Sequence, residues 1–395
     1  MFTAYSSRLA QPTTLPDIDR PFGLPAFNCV ADAISAYDGD DAIYVLYPHR
    51  IEAAAQQFLS SFPGKVLYAV KANPHPAVLK TLWASGIRGF DVASIREIDL
   101  VRAACPDAEL YLMHPVKSRR TIRHAYAQGV RHFAFDCSAE LGKILIETND
   151  ADDLHLHLRL SLPAGGTASM PLDGKYGAGY NDAVTLLRAA RPVSAKLGVC
   201  FHVGSQCMDP GDFIQALSYT HGMLETANVA IDSLDCGGGF PVAYPGLTPP
   251  PLQDYFARIA KGIEMFGFGD LEILGEPGRA LCGTGGSTLA RVELRKGKDL
   301  YLNEGSYGSL FDAAQCAWKY PVRLHRRGAA SAELTGFRFF GPTCDSLDTM
   351  VGPFELPSDT REGDWIEICH LGAYGQALAT DFNGFQSETT VAILS

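Results

Sequence analysis

The sequence has no run long and apolar enough to cross a bilayer, which takes about 18–20 residues. Met1–Pro25 lacks the charged-then-apolar order of a secretory leader, so none is expected there. Positive charge is scarce: 33 Lys and Arg stand against 44 Asp and Glu, a formal net charge of -11. No basic cluster runs longer than Lys117-Ser118-Arg119-Arg120, which argues against a nucleic-acid partner. Charged residues of both signs make up only 19% of the chain, too few for long disordered tracts. The ten cysteines include no Cys-x-x-Cys pair, so neither a zinc site nor a disulfide framework is expected. A reducing cytoplasm is the expected location.

What is present is a large hydrophobic fraction, 47% of 395 residues, enough for two domains or one large domain with an appendage. Residues 1 to about 40 are rich in Pro, Ser and Thr and show little periodicity. Ala42–Tyr47 reads as a strand, and Arg50–Phe62 has helical spacing. A strand-then-helix rhythm follows. Its strands are expected at Val66–Val70, Gly89–Val92, Glu109–Met113, His132–Asp136, Leu154–Leu160, Val199–Val203, Ile231–Cys236 and Leu271–Leu274. Eight such units predict an α/β fold of the (β/α)8 TIM-barrel type. A doubly wound open sheet competes, but no Gly-x-Gly-x-x-Gly follows a first strand. After Arg279 the runs are short and alternating: Thr288–Leu294, Asp299–Leu302, Trp365–Ile368 and Thr390–Leu394. They predict a C-terminal antiparallel β domain, completed by the N-terminal strand near Ala42. The expected division is 1–48 as the N-terminal segment, 49–282 as the barrel and 283–395 as the β domain.

The chain is organised around Val66-Leu67-Tyr68-Ala69-Val70-Lys71-Ala72-Asn73-Pro74. Five apolar residues end in a lysine, and Pro74 forces the backbone out of regular structure. A lysine at the apolar mouth of a barrel can have its pKa lowered and act as a Schiff-base amine. A snorkelling surface lysine would look the same in isolation. The other expected strand tips carry Asp91, His114, Asp136, Arg159, His202, Gly237-Gly238-Gly239 and Glu276. Packing alone does not account for so many ionisable tips, because burying such groups is costly unless they are paired or used.

Two glycine-bearing stretches, Cys236-Gly237-Gly238-Gly239-Phe240 and Glu276-Pro277-Gly278-Arg279, follow the seventh and eighth strands, where barrels often seat phosphate. Glu276 does not suit a phosphate, but it suits a ring nitrogen that must stay protonated. His202 can stack on that ring, although alone it reads equally as a satisfied buried histidine. A lysine, a phosphate seat and a carboxylate for a ring nitrogen together describe pyridoxal 5'-phosphate.

The chain resembles the barrel-type (fold type III) pyridoxal-phosphate decarboxylases of ornithine, lysine, diaminopimelate and related amino acids, and the resemblance covers nearly its whole length. It rests on the ordered motifs Tyr68-Ala69-Val70-Lys71-Ala72-Asn73, Phe90-Asp91-Val92-Ala93-Ser94 with Glu97, His202-Val203-Gly204-Ser205, Gly237–Phe240, Glu276–Arg279, Gly341-Pro342-Thr343-Cys344-Asp345 and Gly372-Ala373-Tyr374. Cys344-Asp345 and Phe382-Asn383-Gly384-Phe385 are similar to the ornithine branch, whereas diaminopimelate enzymes usually carry Cys-Glu.

The resemblance implies decarboxylation of a basic or diamino acid, releasing carbon dioxide and an amine. It implies that Lys71 holds the cofactor, His202 stacks on its ring and Glu276 pairs with its nitrogen. Ser205, Gly238, Gly239, Gly278, Arg279 and Tyr374 would hold the phosphate, with Asp91, Arg159 and Gly237 also at the cofactor. Cys344 would protonate the α-carbon. Asp345, Cys316, Tyr374 and Phe382 would meet the substrate. A homodimer is implied, the Cys344 loop entering the partner subunit's site.

Alternatives within the same barrel are a diaminopimelate or carboxynorspermidine-type decarboxylase, a racemase with a tyrosine base in place of Cys344-Asp345, and a non-catalytic homologue. The last usually goes with loss of the lysine or glutamate, and both are present here.

One departure stands out. Ornithine-type enzymes carry a Tyr-Asp pair about eight residues beyond a Tyr-Gly-Ser such as Tyr307-Gly308-Ser309; the matching positions here are Gln315 and Cys316. The distal ammonium thus loses one of two expected anions. Asp312, about one helical turn earlier, is either a substitute or a solvated helix residue. The expected substrate therefore has an altered distal end.

Overall fold

The computed structural model describes residues 23–37, 39–172 and 174–395. Residues 1–22 of the expected N-terminal segment lie outside the described residues. Two strands precede the barrel, β1 (Ala26–Phe27) and β2 (Ile43–Leu46). The barrel strands are β3 (Lys65–Ala69), β4 (Gly89–Asp91), β5 (Glu109–Leu112), β6 (His132–Phe135), β7 (His155–Arg159), β8 (Lys196–Cys200), β9 (Ser233–Asp235) and β10 (Glu272–Gly275). All pair in parallel, and β10 pairs with β3 through Leu274–Lys65 and Gly275–Val66, which closes the cylinder. That closure excludes the open doubly wound sheet.

Alternation along β3 shows why the organising stretch is apolar on both faces. Leu67 points into the barrel with Tyr111, Met113, Ala134, Cys200 and Leu274. Val66 and Tyr68 point outward into the layer shared with the surrounding helices. A Cβ at Gly89 would meet Leu67 Cδ2, so the leucine side chain occupies the space that the glycine leaves.

Two strand positions differ from the sequence reading. The sixth barrel strand was expected at Val199–Val203 but runs Lys196–Cys200, so His202 stands in the loop beyond it. Gly198 interrupts the apolar pattern there, and only glycine fits between Ser233 and His157. Within residues 1 to about 40, where little periodicity shows, the chain forms β1 and the helix Val30–Ala36.

The second unit holds β11 (Gly286–Lys296), β12 (Asp299–Leu302), β13 (Val322–His325), β14 (Leu334–Phe340), β15 (Thr349–Pro357), β16 (Trp365–Cys369) and β17 (Thr390–Ile393), together with β1 and β2. The β domain is mixed rather than purely antiparallel: β1–β17, β17–β2 and β12–β14 are parallel pairs. Two-residue alternation does not encode direction, and strands joined by long connections are free to pair in parallel. β14 and β15 escaped the periodicity because Gly336, Gly352 and Pro353 break it, yet Phe337 and Phe339 are buried on one face with Arg338 opposite. No helix among the described residues is long and apolar enough to cross a membrane.

The two units meet at Lys71. β3 ends at Ala69, and Lys71 sits on the short turn Val70–Ala72. Asn73 Nδ2 donates to Gly372 O at 2.9 Å, and Tyr374 N donates to Ala72 O at 2.8 Å. The tip of the first barrel strand is thus bonded directly to the β domain.

Candidate active site

At the C-terminal mouth of the barrel lies a cavity of about 670 Å³. Lys71, Asp91, Arg159, His202, Ser205, Glu276 and Tyr374 line it, so the structure brings together most of the residues expected at the cofactor. His114 lines it too, while Asp136 accepts from Gly177 N at 3.0 Å and pins the loop that covers one side.

The mouth is not apolar. Burial pushes the Lys71 ammonium down, but Asp91, then Tyr374 and Glu276, outweigh burial and hold its pKa above the ordinary lysine value. The structure thus differs from the lowered amine expected at an apolar mouth: acidic side chains face Lys71, and their attraction opposes the effect of burial.

Glu276 follows β10, and its amide donates to Gly237 O at 2.8 Å. Its Oε1 is buried with no hydrogen-bond partner. Burial first, then the carboxylate of Asp235, raise its pKa well above the ordinary range. Asp235 itself is pushed up to about 6, mainly by burial. A buried carboxyl oxygen with no hydrogen-bond partner is one that a protonated ring nitrogen would satisfy. Asp235 was missed in the sequence. Its signal was Ser233 and Asp235 alternating with Leu234, a polar face turned into the barrel.

His202 accepts a hydrogen bond from Gly204 N on Nδ1 at 2.9 Å, which leaves the proton on Nε2. Burial, then Arg159 and Lys71, hold it neutral, well below the usual histidine value. A Cβ on Gly238 would lie 2.9 Å from His202 Nε2 and 2.8 Å from Glu276 O, so a side chain there would fill the space beside both. Gly237 is left-handed at φ +66, and its own amide is spent on Asp235 Oδ1. The amides of Gly238, Gly239 and Gly278 donate to nothing among the described residues, which suits them to an anion.

Arg279 is more constrained than expected. Nη1 donates to Tyr244 Oη at 3.1 Å and Nη2 to Asp312 Oδ2 at 3.2 Å, while buried Nε has no partner. The guanidinium lies 4.6 Å from the Trp318 ring centroid and 4.8 Å from that of Tyr374. Asp312 is therefore neither solvated nor a free anion: it lines the cavity, buried and paired.

These groups fit pyridoxal phosphate: an amine, a carboxyl with one unpartnered oxygen, a flat imidazole and free backbone amides beside a guanidinium.

The remaining expected residues stand apart. Cys344, Asp345 and Phe382 do not line the cavity of their own chain. They gather in the β domain around Tyr307, whose hydroxyl donates to Asp345 Oδ2 at 2.5 Å and whose ring centre lies 4.7 Å from that of Phe382. Cys344 is exposed. Cys316 lies beside the cavity rather than in it, with Sγ 3.5 Å from Sδ of Met170, a cavity residue.

A family model described as the pyridoxal-binding domain of pyridoxal-dependent decarboxylases matches residues 49–283. The lysine/ornithine decarboxylase of Selenomonas ruminantium is 32% identical over 335 residues, 82% of this chain and 82% of the relative. Antizyme inhibitor 2 of Xenopus laevis is 30% identical over 393 residues, 90% of this chain and 82% of the relative. Among solved structures, the lysine/ornithine decarboxylase of Vibrio vulnificus complexed with cadaverine matches with a TM-score of 0.79 at 29% identity, covering 92% of this chain and 96% of that one.

Proposed function

This chain belongs to the pyridoxal-dependent decarboxylases, and from that membership we propose that it decarboxylates a relative of ornithine or lysine whose distal end is altered, either in chain length or by substitution or acylation of the amine. It is a pyridoxal-phosphate enzyme acting on basic amino acids; the altered distal end is the finer reading. One observation carries it. At the position where an aspartate would meet a distal ammonium stands Cys316, its thiol against Met170, and the nearby carboxylate of Asp312 is already neutralised by Arg279.

In this reading Lys71 Nζ anchors the cofactor, Glu276 faces its ring nitrogen and His202 covers one ring face. Gly238, Gly239, Gly278, Ser205, Arg279 and Tyr374 receive the phosphate, with Asp91 and Arg159 setting the charge around Lys71. When bound, the cofactor supplies an electron sink for the pair left on the α-carbon as carbon dioxide leaves. Cys344 Sγ then gives its proton to that carbon. Cys344, Asp345 and Phe382 do not line the cavity of their own chain, so in this reading a second copy, related by a two-fold axis, delivers them. A reducing cytoplasm suits a mechanism that needs a free thiol.

The test is steady-state kinetics on ornithine and lysine with the native enzyme and with Cys316→Asp. A hydrogen bond to a charged group is worth about 1.5–3 kcal/mol, so the aspartate should improve kcat/KM for ornithine roughly ten- to hundredfold. A native enzyme already efficient on ornithine or lysine, with no gain in the variant, overturns the altered distal end.

A further inference from the structure

We infer that Asn383 is a positioning residue for Cys344: its carboxamide oxygen binds the backbone amide and the thiol of Cys344 together and fixes where the sulfur sits. The inference rests on the reading of Cys344 as proton donor.

Cys344 lies in the turn between β14 and β15. The backbone of that turn is already fixed by Asp348, which accepts from Thr343 N at 3.1 Å, Thr343 Oγ1 at 2.8 Å, Ser306 N at 2.7 Å and Ser306 Oγ at 2.9 Å. Asp345 Oδ1 closes the turn by accepting from Leu347 N at 3.0 Å. None of these bonds restrains rotation of the cysteine side chain.

That restraint comes from another segment. Asn383 Oδ1 accepts from Cys344 N at 3.3 Å and from Cys344 Sγ at 3.4 Å. The Sγ contact is a hydrogen bond only while the sulfur carries its proton, so it fixes the rotamer of the protonated thiol, and the proton leaves this bond when Cα takes it. Both segments hang on one residue. Tyr307 donates its hydroxyl to Asp345, and its carbonyl accepts from Thr380 N at 2.7 Å and Thr380 Oγ1 at 3.1 Å, just before Asn383. The donor turn and its aiming group therefore move as one piece.

The backbone at Asn383 is left-handed, φ +57, followed by Gly384 at φ +75. Asn tolerates that conformation better than most side chains, and glycine tolerates it freely. Asn383→Gly thus removes the carboxamide from an exposed turn and leaves the fold intact.

The chemistry offers a readout beyond rate. Cleavage of the Cα–carboxylate bond leaves an electron pair on Cα, Sγ–H supplies the proton, and solvent returns a proton to sulfur. In deuterium oxide an aimed thiol places the deuteron on one face of Cα. The experiment is turnover of L-ornithine in deuterium oxide by the holoenzyme and by its Asn383→Gly, Asn383→Asp and Cys344→Ala variants. The configuration of the α-deuterated amine is read by NMR after coupling to a chiral acid.

Native enzyme should give one configuration. Asn383→Gly should give a mixture, with kcat down about ten-fold and KM within about two-fold of native. Asn383→Asp keeps an acceptor oxygen and should keep one configuration. If Asn383→Gly keeps both rate and a single configuration while Cys344→Ala loses them, the positioning role is overturned and the donor stands. If Cys344→Ala keeps both, the donor reading falls and the inference falls with it.

Discussion

Arg279 Nη2 and Asp312 Oδ2 stand 3.2 Å apart with both side chains almost wholly buried, an ion pair beside the proposed phosphate seat. Removing one partner of such a pair leaves an uncompensated buried charge, at a cost of about 3–5 kcal/mol. Phosphate supplies a second anion for Arg279, so the cost should depend on the cofactor. Asp312→Ala is expected to lower the stability of the cofactor-free protein by about 3 kcal/mol, and by clearly less when pyridoxal phosphate is bound. Urea unfolding with and without cofactor checks this. Equal losses in both states would separate Asp312 from the phosphate seat.

Lys71 and Cys344 lie in different clusters of one chain, which makes a mixing experiment decisive. Lys71→Ala alone should lose covalent cofactor attachment and nearly all turnover; Cys344→Ala alone should lose most of its turnover. If the partner subunit's Cys344 completes each site, exchanging the two mutant proteins forms hybrids with one intact site. Random exchange then restores about a quarter of native activity, since half the dimers are hybrids with one site each. Absence of any recovery, with exchange verified by mass labelling, would rule out shared sites.

Asp235 predicts a pH dependence. Its carboxyl is raised from 3.8 to about 6 in the folded protein, chiefly by burial. The folded state therefore binds that proton more tightly than the unfolded chain. The stability it contributes is fully present below about pH 4 and is lost as pH rises through about 6, roughly 3 kcal/mol in all. Asp235→Asn should remove that slope from the cofactor-free protein. Chemical unfolding of both proteins between pH 4 and 6.5 measures the difference, and parallel curves would acquit Asp235.

The barrel was legible because parallel strands covered on both faces read as apolar runs, each ending in an ionisable or glycine tip. Lys71, Asp91, Arg159 and Glu276 were found that way. His202 was read as a strand tip as well, but the strand ends at Cys200 and the histidine stands in the loop beyond it. The mixed direction of the β domain could not be read, since alternation along one strand is silent about its neighbour. Asp312 was misjudged because helical spacing reports a face but not what lies against it; Arg279 comes from 33 residues earlier in the chain. Asn383 lay in plain view in Phe382-Asn383-Gly384-Phe385, but its oxygen meets Cys344 only through a turn that no local pattern encodes.

The division between the barrel cavity and the cluster around Tyr307 has a consequence for how such a chain can change. The groups proposed to retain the cofactor sit on strand tips and tight glycine turns, where a Cβ added at Gly237, Gly238, Gly239 or Gly278 would lie within 3.0 Å of a neighbour. Cys344, Asp345 and Phe382 ride on surface turns of the other unit, tied to Tyr307 by a few hydrogen bonds and one ring contact. Drift in those turns is free to try new substrates while the cofactor stays seated. Inheritance of the chemistry and exploration of its targets are thereby entrusted to separate parts of one gene product.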